Sequence, residues 1–237
     1  MKYRIVCMIG SCQRNLKENV PEQEVFQIKR VIATIFEFMN EIDNYTMLLG
    51  NSKDFLQYTE DGNINLEKME EFANLNRLFM NWLNSFYVWV EYHERYHKIL
   101  FGKLKGRFYD QYPEYRITYF LRRYTTHQSC CITKTTLALD TGIVSYLIPV
   151  DKILENGDMN KQTKGDLKKV QKENQNIDSR KLVESTTKII QEFQYEIKFK
   201  LFNHIQNLTY HDFYKSSLAD LVQNSTDDVN NIVGFIE

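Results

Sequence analysis

The sequence predicts a mainly α-helical protein, and three observations indicate this class. Hydrophobic residues make up 43% of the 237 positions, which is enough to fill a core without disulfide bonds. The chain has only 9 glycines and 3 prolines, but 15 tyrosines and 15 phenylalanines. Apolar residues also recur at steps of three and four over long stretches, which is typical of amphipathic helices. We therefore expect long antiparallel helices in a single domain over residues 1–237.

The first helix is predicted from Pro21 to Gly50. Proline suits the first turn because no N–H donor is needed there, and Glu22 and Glu24 favour the positive end of the helix dipole. Glycine is the residue that most often follows a helix end, so Gly50 is the predicted C-cap.

The second helix is predicted to begin at Asn65, a good N-cap, and to run to Leu104. Gly102 and Gly106 are expected to end or loosen it. Its apolar positions form one stripe, like those of the first helix, so we expect the two helices to pair. The stripe comprises Phe72, Phe79, Leu83, Phe86, Val90, His93, His97, Leu100 and Leu104, with Trp82 and Trp89 beside it.

A third helix is predicted to start at Pro113. Two β-rich runs follow it, with turn residues between them, and they predict a β-hairpin inserted at 132–150. Pro149 is expected on an unpaired edge of this hairpin. The hairpin must pack on the helices or on a partner chain, because a lone hairpin is marginal in water.

The segment 155–177 is rich in Lys, Asn, Gln and Asp, which predicts a polar loop or a solvated helix. Asp178 or Ser179 is then expected to cap another long helix. Thr209 and Thr226 are the predicted starts of two shorter helices near the C-terminus.

The formal net charge of −1 gives no global attraction to nucleic acid, so any RNA contact must come from a local basic patch. One segment holds more basic than acidic residues, although an ordinary solvated face is an equal alternative. Its basic residues are Arg95, Lys98, Lys103, Lys105, Arg107, Arg116, Arg122 and Arg123.

The four cysteines are expected to be reduced cytosolic thiols. Cys7, Cys12, Cys130 and Cys131 lack the CxxC pairs of a zinc site. The apolar run at the N-terminus is too short for a signal peptide, and no later run approaches a membrane span. We expect a soluble, cytoplasmic protein with no membrane contact.

The segment Leu121-Arg122-Arg123-Tyr124-Thr125-Thr126-His127, near the end of the third helix, places arginines close to a histidine. This Arg-x-x-x-x-His pattern resembles the signature of the HEPN family of small helical bundles, many of which are metal-independent RNases. The closer similarity is to bacterial HEPN-like proteins whose motif has Leu-Arg-Asn-Tyr-x-x-His. The order of long helices, motif helix, β-rich insertion and late helices is also similar. The family usually has Asn, Asp or His at the position of Arg123.

The resemblance implies an endoribonuclease that needs no metal or cofactor, with Arg122 and His127 as catalytic residues. Arg122 would hold the phosphate, and His127 would act as the base or acid while the 2′-OH of RNA attacks. Arg123, Tyr124 and Arg116 would help to bind the substrate. HEPN sites typically form at a homodimer cleft. A toxin or phage-defence effector is further implied, with an antitoxin or regulatory protein as a partner.

The spacing of Arg122 and His127 raises a geometric question, since five residues place them about 140° apart around a regular helix. Arg123 and His127, four apart, share a face. Either the helix unwinds before His127, or the arginine reaches round, or a second chain completes the site.

Two alternatives to catalysis stay open for this motif. The protein could be a catalytically silent HEPN-like module that binds RNA or protein. In the other alternative, Arg122 pairs with a carboxylate and His127 is a hydrogen-bonded histidine at a helix end.

A rival motif, His93-Glu94-Arg95-Tyr96-His97, has the H-E-x-x-H spacing of zinc hydrolases, in which two histidines bind the metal and the glutamate activates water. Glu114 would be a third ligand. Because both histidines fall on the apolar stripe of the second helix, buried or interfacial histidines are the favoured alternative. His93 or His97 could also line the same cleft as His127.

Overall fold

The computed structural model describes residues 22–60, 64–96, 98–127, 130–138, 144–155 and 159–207. Within these ranges there are seven helices and three short strands, so the predicted mainly α-helical class is confirmed. The elements in chain order are α1 (Glu22–Tyr58), α2 (Met69–Tyr96), α3 (Lys98–Gln111), α4 (Pro113–His127), β1 (Lys134–Leu137), β2 (Val144–Pro149), α5 (Val150–Leu154), α6 (Lys161–Glu173), β3 (Asn176–Asp178) and α7 (Ser179–Asn207). No helix in the described ranges is both long and apolar enough to cross a membrane.

The chain divides into two compact units, Met1–Ile189 and Ile190–Glu237. The division falls inside α7. In the described part of the second unit, Ile190, Phe193 and Ile197 are buried on one face of that helix. The first unit holds α1 to α6, the sheet and the candidate site.

The predicted pairing of the first two long helices is confirmed. The ring of Phe55 in α1 lies 5.5 Å from the ring of Phe79 in α2. Nearby, the side-chain amide of Asn51 donates to the carbonyl of Asn81 at 3.5 Å. Because the earlier residue of α1 meets the later residue of α2, the two helices are antiparallel.

Gly50 is not the C-cap that the sequence predicted, because α1 continues to Tyr58. A Cβ added at Gly50 would meet nothing within 4 Å, so the residue is an ordinary exposed helix position. The end of α1 is instead held by Arg180 of α7, which donates to the carbonyl of Leu56 at 3.2 Å. Arginine near a helix C-terminus also complements the dipole.

The stripe predicted for the second helix forms the core of the first unit. Trp82, Leu83, Phe86 and Trp89 are all fully buried. The expected single helix is described as two, however, with α2 ending at Tyr96 and α3 beginning two residues later. Gly102 and Gly106 lie within α3 and do not end it.

The predicted hairpin is present, and it is part of a larger sheet. Strands β1 and β2 are antiparallel, and β3 pairs with the other side of β2. The expectation that Pro149 lies on an unpaired edge is wrong, because β2 is the central strand and Pro149 is opposite Asn176. Proline is tolerated there because it is the last residue of β2 and interrupts no bond in the strand interior.

Side-chain hydrogen bonds tie the sheet to the rest of the first unit, as the marginal stability of a lone hairpin required. The amide of Asn76 in α2 donates to the carbonyl of Ile132 at 3.0 Å and accepts from the N–H of Ile132 at 3.1 Å. The hydroxyl of Tyr146 in β2 also accepts from the N–H of Ile64 at 3.1 Å. These bonds connect the strands to α2 and to the segment before it.

The polar segment 155–177 contains α6 and most of β3, so the helix is the correct one of the two predicted alternatives. Asn160 caps α6 by accepting from the N–H of Thr163 at 2.8 Å. Asp178 caps α7 as predicted, accepting from the N–H groups of Arg180 and Lys181. The predicted helix starts at Thr209 and Thr226 lie outside the described residues.

Candidate functional site

The motif occupies the last turns of α4, which begins at Pro113 as predicted and ends at His127. The guanidinium of Arg122 lies over the ring of Tyr87 in α2, with 3.8 Å between Cζ and the ring centroid. At this distance a cation–π contact holds the arginine in a fixed position on the surface of α2.

Arg122 has no carboxylate partner among the residues that the structure describes. Its Nε is buried without a hydrogen-bond acceptor in this part of the chain. Its carbonyl, in contrast, accepts from the hydroxyls of Thr125 and Thr126 at 2.9 Å each. The alternative in which Arg122 pairs with a carboxylate is therefore not what the described residues show. A guanidinium whose charge is not neutralised by the protein is suited to bind an anion.

A second cation lies on the same group of rings. The ring of Tyr87 is 6.2 Å from the ring of Tyr119, and Nζ of Lys105 lies 5.0 Å from the centroid of Tyr119. We call Arg122, Tyr87, Tyr119 and Lys105 the cation–aromatic array. Lys105 is paired with the carboxylate of Glu94, so Arg122 has the less compensated charge of the two cations.

Burial raises the pKa of the Tyr87 phenol, which is therefore neutral around pH 7. The nearby carboxylate of Glu91 raises the same pKa further, while the charge of Arg122 opposes both effects. The contact of Arg122 with this neutral ring is therefore a cation–π contact and not an ion pair.

The three predicted substrate-binding residues have different positions. Arg123 is exposed, with its guanidinium 5.9 Å from the ring centroid of Phe120. Tyr124 is only 7% exposed and its ring is 6.4 Å from that of Phe120, so it belongs to the core. We keep Arg123 in the candidate site and leave Tyr124 out.

Arg116 is also left out, because its donors are occupied inside the protein. Its side chain is buried, and its Nε donates to the carboxylate of Asp166 in α6 at 2.7 Å. Its Nη1 donates to the carbonyls of Tyr109 and Asp110 at the end of α3. Arg116 joins three helices and does not present its guanidinium to solvent.

The structure narrows the three alternatives for Arg122 and His127. Because α4 is helical through His127, the helix does not unwind before it. The two residues are about 140° apart around the axis and about 7.5 Å apart along it. The guanidinium of Arg122 is held against Tyr87 on the side of α2, so it does not reach round the helix. The side chain of His127 is outside the described part of the structure, so completion by a second chain stays a prediction.

His93, the first histidine of the rival motif, lies in the core. His93 is fully buried, and its ring stacks on Phe101 with centroids 5.1 Å apart and planes at 19°. The ring of Trp89 contacts it edge-on at 4.7 Å. Glu94 is paired with Lys105, and His97 lies outside the described residues. The described ranges contain no group of three or more His, Cys, Asp or Glu side chains placed to hold a metal, with Glu114 or otherwise. The buried-histidine alternative fits His93.

Sequence reasoning missed the role of Tyr87. It is 35 positions from Arg122 in the chain, and nothing in its neighbourhood distinguishes it from the other aromatic residues of α2. Its contact with Arg122 depends on how α2 packs against α4, which no local pattern specifies.

The described fold and site define a class: a mainly α-helical protein with a small antiparallel sheet, and an arginine held on a tyrosine near the end of α4. No protein-family model, curated protein or solved structure matches the chain.

Proposed function

We propose that this protein is a metal-independent endoribonuclease of the HEPN type, with a site at the end of α4 that a second copy completes. One observation supports the proposal above all. Arg122 is fixed over Tyr87 and has no carboxylate partner in the described structure, so its charge is available to a phosphate. The resemblance of residues 121–127 to the HEPN motif supplies His127 as the second catalytic group.

In the proposed reaction, the 2′-OH of a nucleotide attacks the adjacent phosphorus, and the bond to the 5′-oxygen of the next nucleotide breaks. The products are a 2′,3′-cyclic phosphate and a free 5′-OH. Arg122 stabilises the negative charge that develops on the phosphorane oxygens. The imidazole of His127 accepts the proton of the 2′-OH or protonates the departing 5′-oxygen, because histidine is the side chain that most often acts as a general acid or base.

The dimer is part of the proposal for a geometric reason. Within one chain, Arg122 and His127 lie on different sides of α4, while an isologous two-fold contact between two α4 ends would place the arginine of one copy near the histidine of the other. The resemblance also suggests a toxin or phage-defence role, with an antitoxin or regulatory protein as a further partner.

A catalytically silent RNA- or protein-binding module is the second candidate, and Arg123 favours it. This residue is exposed and adds a second cation where the HEPN family usually has Asn, Asp or His. In this module, Arg122 and Arg123 would hold phosphates without cleaving them.

The deciding experiment is incubation of the purified protein with RNA in the presence of EDTA, followed by analysis of the product ends. We expect 2′,3′-cyclic phosphate from the wild type. Arg122→Ala and His127→Ala should each lower the cleavage rate by about 100-fold or more. Arg77→Ala, which removes an exposed arginine of α2, is the matched control and should cleave normally.

Thermal unfolding of each variant shows whether a loss of cleavage reflects a loss of fold. If the wild type binds RNA through Arg122 but produces no cyclic phosphate, the binding module replaces the nuclease. If both variants cleave as the wild type does, Arg122 and His127 have no part in the reaction.

A further inference from the structure

Helix α6 has a row of lysines along one side. Lys161, Lys164, Lys168 and Lys172 are all exposed and follow one another at steps of three, four and four. On a regular helix these steps place them within about 80° around the axis and over about 17 Å along it. We call these four side chains the lysine face.

Within the described residues, no acidic side chain is paired with a lysine of the lysine face. None of its four side chains forms a hydrogen bond or an ion pair there, although α6 also has Glu173 at its end. Lys161 and Lys164 lie in the first turn, which holds no acid and where the helix dipole disfavours cations. Lys164, Lys168 and Lys172 also repel one another at i, i+4 spacing. This arrangement destabilises the helix, and a polyanion bound to the face would relieve the repulsion.

The opposite side of α6 fixes the helix against α4. The carboxylate of Asp166 is bonded to Arg116 at 2.7 Å, and both side chains are buried. The side-chain amide of Asn160, at the start of α6, donates to the hydroxyl of Tyr109 in α3. These two contacts place the middle of α6 against α4 and its start near α3, so the lysine face lies on the side of α6 away from α4.

We infer that the lysine face of α6 binds the sugar–phosphate backbone of RNA. The inference adds a binding surface for the substrate class of the proposed function, and it rests on that proposal for the choice of RNA. Binding itself needs no cleavage, so the two can fail separately.

The composition of α6 favours a nucleic acid over a membrane surface. A helix that lies in a membrane interface buries a broad apolar face among the lipids. The apolar residues of α6 are Leu167, which is fully buried, and Val170, which is half-buried on the same side as Asp166. The exposed residues of α6 are lysines, glutamines, a glycine and Glu173. Such a surface suits contacts to the phosphates of a nucleic acid, and these contacts do not depend on its base sequence.

The test is fluorescence anisotropy of a labelled single-stranded RNA with full-length protein carrying His127→Ala, so that the probe is not cut. The variant K161Q/K164Q/K168Q/K172Q should bind at least about tenfold more weakly than its parent at moderate salt. The slope of log Kd against log salt should fall by about 3, since each phosphate contact on a single strand contributes about 0.7. The control is K53Q/K134Q/K181Q/K188Q, which removes the same charge from exposed lysines on α1, β1 and α7 and should change binding by less than about twofold.

Equal losses in the two quadruple variants would overturn the inference, because they would reflect net charge alone. Unchanged binding in the α6 variant would overturn it as well. So would lysine-dependent binding to phosphatidylserine vesicles without binding to RNA. A wild type that binds RNA through α6 but never cleaves it would sustain the inference while removing the nuclease proposal.

Discussion

Two arginines of α4, six positions apart, illustrate how surroundings decide the role of a residue. Arg116 is enclosed by α3 and α6, where Asp166 and two carbonyls take its hydrogen bonds. Arg122 lies on the ring of Tyr87 and has no acceptor for its Nε in the described residues. A buried charge that loses its partner destabilises the fold, whereas a half-buried charge without a partner can bind a ligand. Arg116 therefore stabilises the fold, and Arg122 belongs to the candidate site.

At the residue scale we predict that Asp166→Ala lowers the free energy of unfolding by about 3 kcal/mol, because it leaves the Arg116 guanidinium buried without its counter-ion. Urea unfolding followed by circular dichroism measures the change. Glu173→Ala, at an exposed position of the same helix, is the control and should stay within about 0.5 kcal/mol of wild type.

A double variant separates the charge from the packing. Arg116→Met combined with Asp166→Leu removes both charges and should recover part of the stability lost in Asp166→Ala. If Asp166→Ala unfolds at the same urea concentration as the wild type, the buried pair does not hold α6 to α4.

At the element scale, the end of α1 shows that a single glycine in the sequence does not predict where a helix ends. A glycine is a good helix stop only where the backbone adopts a left-handed conformation that other residues avoid. Gly50 stands in the body of α1 instead, with open space where its Cβ would be. The helix continues because its later residues, Phe55 among them, are buried against α2.

This placement predicts that Gly50→Ala stabilises the protein by about 0.5–1 kcal/mol, because alanine loses less backbone entropy in a helix interior. The midpoint of thermal unfolding should rise accordingly. Gly102→Ala in α3 has equally open surroundings and should behave in the same way. A stability loss in Gly50→Ala would mean instead that the residue is a left-handed cap, as the sequence suggested.

At the scale of the whole molecule, the proposed site needs two chains. The spacing of Arg122 and His127 on a continuous helix places their backbone positions about 140° apart around α4, which is why the proposal includes a second copy.

Mixing two inactive variants tests the shared site. If Arg122 of one copy works with His127 of the other, a mixed dimer of Arg122→Ala and His127→Ala has one complete site. After subunit exchange at equal amounts, half of the dimers are mixed, so activity should recover to about a quarter of wild type. Activity that stays at the level of the separate variants would contradict a site shared between two chains. Either Arg122 and His127 of the same chain would then act together, or the two residues would not form a site.

Local patterns predicted the parts of the fold that depend on neighbours in sequence. Pro113 and Asp178 mark helix starts through backbone chemistry that any chain shares, and both mark real ones. The stripe of α2 predicted its core face, since burial follows helical spacing. For the site, the sequence singled out Arg122 and Arg123 as candidates, but it also offered Arg116 and Tyr124, which are buried.

The sequence by itself determined the helical class, the pairing of α1 with α2, the hairpin, and the position of the motif near the end of α4. These follow from propensity, periodicity and turn residues, which act over a few positions. Only the tertiary structure decided that Tyr87 supports Arg122, that Asp166 takes Arg116 out of the site, and that β3 makes β2 a central strand. Each of these contacts joins residues 27 to 50 positions apart, and their meeting depends on how whole elements pack, which no short stretch of sequence encodes.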